Sequence, residues 1–141
     1  MNIRKATESA LAAYLGDYVS CNIYEAFRGD NVDHPCVIVS CAVGQEMPLE
    51  SGNFETNTDL IVQGSIDEAI PNASDQIDSI VDGVSDAIRN VDLPYEASAK
   101  LENFTVLGVM SKEGPTTEFD NDENIVTSVF KISTLNANID I

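Results

Sequence analysis

The sequence predicts an α+β fold: a mostly antiparallel β-sheet with an N-terminal helix and a central amphipathic helix packed on one face. Three observations lead there. One segment beyond residue 73 repeats bulky apolar residues at helical spacing. Runs with strand-like alternation stand before and after it. The prolines, at positions 35, 48, 71, 94 and 115, fall between these periodic segments, as expected of a residue that cannot enter them. The 141 residues fit one domain, 1–141, which would bury roughly two-thirds of its unfolded surface.

Residues 2–15 put Ile3, Ala6, Thr7, Ala10, Leu11 and Tyr14 on one face, and Gly16 stops the helix. Arg4 and Lys5 lie in its first turn, where positive charge opposes the helix dipole and favours fraying. From 18 to 27 the period shortens, with Val19, Cys21 and Ile23 alternating against Ser20, Asn22 and Tyr24. After a polar loop, 36–43 (CVIVSCAV) reads as a central strand buried on both faces. An irregular connection, 44–53, carries Met47 and Leu49 in polar company. Residues 54–66 form a long strand with Phe54, Thr56, Thr58, Leu60 and Val62 on one face.

The central helix has Ser74 as its N-cap and Asp75 in the first turn. Ile77, Ile80, Val81, Val84, Ile88 and Val91 form its apolar stripe; Asp75, Asp78, Asp82 and Asp86 lie opposite, and Pro94 closes the segment. The last third reads as a hairpin of strands 100–110 and 125–135. Its loop, 111–124, is long and acidic, with Phe119 as the single aromatic.

Charge is the strongest constraint on function. The chain holds 24 acidic residues, 7 basic residues and one histidine, a net charge of −17. DNA and anionic membranes are therefore poor direct partners, and no specific nucleic-acid binding is expected. No apolar run approaches the roughly 20 residues of a membrane span. The N-terminus lacks the apolar core of a signal peptide, so folding in a cytoplasm is expected, with Cys21, Cys36 and Cys41 as buried free thiols.

Catalytic equipment is sparse. The lone histidine, His34, sits in a loop two residues before Cys36, which gives neither a triad nor a metal-ligand pair. No phosphate-binding glycine motif occurs. Residues 120–124 (DNDEN) open like a calcium loop, but Ile125 and Lys131 stand where an EF-hand requires glycine and glutamate. No enzyme activity, cofactor or metal is expected. The aspartate stripe has two readings. It is a solvated face, or it faces a basic partner or a passage from which nucleic acid must be repelled, since like charges four apart cost roughly 0.2–0.5 kcal/mol per pair.

The element order resembles that of the tail terminator (tail completion) proteins of long-tailed bacteriophages. The likeness is carried by the N-terminal helix MNIRKATESALAAYL, the strands CVIVSCAV and FETNTDLIVQGSID, the helix SDQIDSIVDGVSDAIRN, and the final segments ENFTVLGVM and IVTSVFKISTL. The resemblance implies a structural virion protein without catalytic residues. It would assemble as a homo-oligomeric ring, typically a hexamer, on the last ring of the tail tube. There it would end tube growth and offer a surface for the head–tail connector. Met47, Leu49 and Phe119 would then be candidate interface residues, or residues that fold back on their own sheet; Asp75, Asp78, Asp82 and Asp86 would line an acidic lumen or partner face. Competing readings are another phage neck, connector or tube protein, and a small cytoplasmic ligand-binding domain.

Overall fold

A computed structural model describes residues 3–26, 32–46, 53–66 and 73–138. Along the chain these form helix α1 (Ile3–Leu15), strands β1 (Asn22–Glu25), β2 (Cys36–Glu46) and β3 (Asn53–Ser65), helices α2 (Ala73–Arg89) and α3 (Leu93–Ser98), and strands β4 (Phe104–Asp120) and β5 (Ile125–Asn138). The fold is α+β, as the periodicity predicts. The strands make one sheet in the order β1-β2-β3-β5-β4. Among the described residues only the β1–β2 pair is parallel; the pairs β2–β3, β3–β5 and β4–β5 are antiparallel.

One face of the sheet carries the core. Val37 and Val39 of β2, Leu60 and Val62 of β3, and Phe130 and Ile132 of β5 are buried there against Leu11, Tyr14 and Leu15 of α1 and Ile80, Val84 and Ile88 of α2. Alternation at period two puts these residues on one side of each strand. The helices reach them because small residues stand where backbones meet. Ala6 and Ala10 bring α1 close to the sheet. Gly64 lies under α2, where an added Cβ would come within 2.4 Å of Ile77 Cγ1. On α2 itself, a Cβ at Gly83 would meet the Tyr18 carbonyl oxygen at 2.7 Å.

Beneath the first half of α1 the interior is polar. Thr7, Thr56, Thr134 and Asn136 are all buried. Asn136 Nδ2 donates to Thr7 Oγ1 at 3.1 Å, and the Thr56 and Thr134 hydroxyls share a hydrogen bond at 2.8 Å. These hydrogen bonds offset part of the cost of burial, while Asn136 Oδ1 has no partner among the described residues.

Several expectations are corrected. Of the strand expected over 18–27, whose residue 27 lies outside the described residues, Asn22–Glu25 is strand; Tyr18 and Val19 instead finish the turn of α1 through hydrogen bonds to the Leu15 carbonyl at 2.9 and 3.1 Å. Helix α2 begins at Ala73, so Ser74 lies inside its first turn and is not its N-cap. It ends at Arg89, so Val91 leaves the apolar stripe and is 90% exposed. Pro94 does not close a segment. It opens α3, where a first-turn proline forfeits no helical hydrogen bond. Arg4 pairs with Glu8 at 3.1 Å, one helical turn on, which offsets its poor position in the dipole.

The largest correction concerns residues 111–124. The expected loop is mostly strand: β4 runs to Asp120 and pairs with β5 along its length, leaving a four-residue turn, 121–124. Pro115 therefore lies within a strand. It is tolerated because β4 is an edge strand and the register shifts between Glu113 and Thr116, so no ladder hydrogen bond needs its missing N–H.

Candidate assembly surface

The distal half of β4 is an exposed arm along the sheet's edge, while the β5 half beside it pairs with β3 and buries Val126, Ser128 and Phe130. Every residue of 111–120 is exposed, as is the turn 121–124. The turn is shaped by Asp120, whose Oδ1 accepts the amides of Asp122 (3.1 Å) and Glu123 (3.2 Å), and by Asn124 at a φ of 54°. The carboxylate that suggested a calcium loop is thus spent on closing a hairpin. The Ile66 amide donates to the Asn124 carbonyl at 2.7 Å and ties the turn to the end of β3. At the register shift between Glu113 and Thr116, Gly114 adopts a φ of 109°, and a side chain there would approach the Val129 carbonyl oxygen within 2.7 Å. Glycine is the residue this backbone accepts.

Among the described residues, the exposed large hydrophobics are Leu107, Met110 and Phe119 on β4, with Val91 and Tyr95 at the α2–α3 corner. Helix α3 packs beside β4. The register explains two of them. It skips between Val106 and Gly108 and again between Val109 and Ser111, so Leu107 and Met110 are bulge residues outside the sheet's alternation. They are 48% and 53% exposed. Phe119 lies opposite Val126 and is 64% exposed, so it does not fold back onto its own sheet. Met47 and Leu49 lie outside the described residues.

Asp75, Asp78, Asp82 and Asp86 are all exposed on the side of α2 away from the core, in agreement with the helical spacing. Beside the first turns of α2 lies an open cleft of about 580 Å³, lined among others by Asp75, Ser79, Val19, Cys21 and His34. His34 is exposed and its Nε2 stands 3.4 Å from Gln63 Oε1. Among the described residues, no group of three or more histidine, cysteine or acidic side chains comes together as metal ligands. No helix of the described residues is long and apolar enough to cross a membrane.

The three cysteines are free; Cys36 and Cys41 are buried and Cys21 is partly so. Burial raises the pKa of each. Cys36 is pushed up to about 11, first by burial and then by the nearby Cys21 and Asp33. Cys21 and Cys41 move in the same direction for the same leading reason. At neutral pH all three are thiols, which are poor nucleophiles and poor metal ligands.

Glu8 escapes a reading of periodicity, which assigns charged residues to solvent. It is 2% exposed and its carboxylate accepts the Ala26 and Cys41 amides, each at 3.1 Å. The available signal was its place between Arg4 and Leu11–Leu15, a row that widens the buried stripe of α1. Leu107 and Met110 had no such signal, because bulges leave no mark on alternation.

No protein-family model matches this sequence, and no curated protein matches it.

Proposed function

We propose that this protein is a structural component of a long-tailed phage virion, a tail terminator that closes as a homo-oligomeric ring on the end of the tail tube. In this reading the tube protein and the head–tail connector are its neighbours, and it is made and folded in the host cytoplasm. The observation that carries the proposal is the exposed arm. A 17-residue strand forms one edge of the sheet, and the exposed apolar side chains Leu107, Met110 and Phe119 lie along it. An apolar edge of this kind suits a neighbouring subunit, and a contact between unlike surfaces closes into a ring when its rotation allows. Pro115 and the three bulges of β4 interrupt its free edge, so side chains rather than an added strand make the contact.

The acidic side of α2 fits the same reading. A ring through which DNA passes benefits from a wall offering phosphates no counter-charge. Exposed aspartates spaced along one helix form such a wall.

The deciding measurement is solution mass by light scattering, with and without purified tail tubes. A discrete ring, or a monomer that binds only tube ends, is the expected result. Open-ended polymers would assign the chain to the tube itself. A monomer indifferent to tubes would overturn the proposal.

A further inference from the structure

The core occupies one face of the sheet, and among the described residues no helix packs on the other. The strand register identifies what that open face presents. Ile38 of β2, Ile61 of β3 and Val129 of β5 are aligned partners across three neighbouring strands, and all three are half-buried. They form an apolar row at the middle of the sheet. Around it the same registers place Glu55 and Asp59 of β3, Lys131 of β5, and Glu113, Glu118 and Asp120 of β4. Lys131 stands between Asp59 and Glu113 in one cross-strand row, so its charge is offset where it sits. A shallow groove of about 470 Å³, lined by Asp59, Glu113, Glu118, Val129 and Lys131, runs from the row into the acidic border.

We infer that this open sheet face is a docking surface for a protein segment with an apolar centre and a lysine- or arginine-rich border. An apolar centre inside a charged rim is the usual anatomy of a protein interface. Charge complementarity selects the occupant. A second copy laid on this face would bring its own Glu55, Asp59, Glu113 and Glu118 against the same acids, and the chain as a whole carries a net charge of −17. A basic border meets the acids with opposite charge, while apolar side chains cover Ile38, Ile61 and Val129. The surface takes in Glu113, Glu118 and Asp120 of β4 but not the exposed Leu107, Met110 and Phe119, and it stands whether or not the chain caps a tail tube.

The probe is a synthetic amphipathic helix of leucine and lysine, about 18 residues or five turns long. Its counterpart has glutamate at every lysine position. Methyl-labelled protein is titrated with each at about 0.15 M salt, where nonspecific attraction is screened beyond roughly 8 Å. The leucine–lysine peptide is expected to shift the Ile38, Ile61 and Val129 methyl signals saturably, and the leucine–glutamate peptide is not. Ile61→Lys should weaken that binding about tenfold or more, the loss of one central apolar contact plus a like-charge clash. Ile61→Thr, which keeps the β-branched shape, should weaken it less and serves if the lysine variant does not fold. Three results would overturn the inference. One is methyl shifts confined to Val81 of α2, which lies between Asp78 and Asp82; another is equal binding by polylysine. The third is self-association of the protein alone that Ile61→Lys abolishes, which would make a second copy the occupant.

Discussion

Glu8 takes over from β1 where that strand stops. The parallel β1–β2 ladder ends at Glu25 and Val39, and just beyond it Glu8 Oε2 accepts the Cys41 amide at 3.1 Å. Oε1 accepts the Ala26 amide, and Arg4 approaches the carboxylate at 3.1 Å. A buried carboxylate on α1 therefore fastens the helix to the sheet and satisfies a buried β2 amide that has run out of strand.

Glu8→Ala removes these acceptors and leaves the Cys41 amide buried without a partner. The expected loss is about 2–4 kcal/mol in denaturant unfolding. Glu8→Gln keeps one acceptor oxygen and should lose roughly 1–2 kcal/mol. Equal stability of the alanine variant and the natural protein would show that the carboxylate is not fastening the helix.

Gly64→Ala tests how closely α2 lies on β3. Its Cβ would fall 2.4 Å from Ile77 Cγ1 and 2.7 Å from Cδ1, so either the helix or the side chain must move. The expected cost is about 1–3 kcal/mol. Adding Ile77→Ala removes the clashing atoms. The pair should then be less destabilised than the sum of the single changes, and strict additivity would rule out this contact.

The Cys36 thiol predicts a stability change at alkaline pH. Its pKa is raised in the folded protein from 9.0 to about 11, so folding favours the protonated form. The associated stability is fully present below about pH 9 and is lost as the pH rises toward 11. The full swing is worth about 2–3 kcal/mol. Cys36→Ala should flatten the pH profile of the urea midpoint across that window. Iodoacetamide should label Cys36 in the folded state far more slowly than in urea.

Exchanging the apolar residues of the arm should separate folding from assembly. Phe119→Ser and Met110→Ser alter exposed positions, so each should change stability by no more than about 0.5 kcal/mol. If the β4 edge meets a neighbour, the double variant stays monomeric in the presence of tail tubes. Undiminished ring formation would remove the arm from the interface.

Asp78→Lys should stabilise the protein slightly. It replaces a like-charge pair with Asp82, four residues on, by an opposite-charge pair, worth a few tenths of a kcal/mol on an exposed helix face. For an acidic passage, the Asp78→Lys, Asp82→Lys variant assembles normally but passes DNA poorly, and infectivity falls. Unchanged infectivity would leave the aspartates as a solvated face.

Local rules made α1, α2 and the β3 strand readable, because each shows one period over three or more turns or pleats. The stripe of Ile77, Ile80, Val84 and Ile88 is buried as its spacing requires. So is the Thr56, Thr58, Leu60, Val62 face of β3. The sequence was misleading where a partner decides. Gly114, Pro115 and a run of acids read as a loop, yet pairing with β5 holds 111–120 as strand, and bulges absorb the residues that break alternation. Val91 continues the helical spacing on paper, but the chain turns after Arg89, and no core lies beneath it.

Periodicity along the chain was enough for the α+β class, the buried faces of α1, α2 and β3 and the exposure of the aspartate stripe, but it read β2 as buried on both faces, where Ile38 and Ala42 are not buried. Long-range packing settled that β1 pairs in parallel, that Glu8 is buried, and that the acidic 111–120 segment is an exposed edge strand. It also left one side of the sheet without a helix among the described residues, with Ile38, Ile61 and Val129 in a row there. Each depends on strand register and on which groups find hydrogen-bond partners across long separations, and no local pattern encodes that.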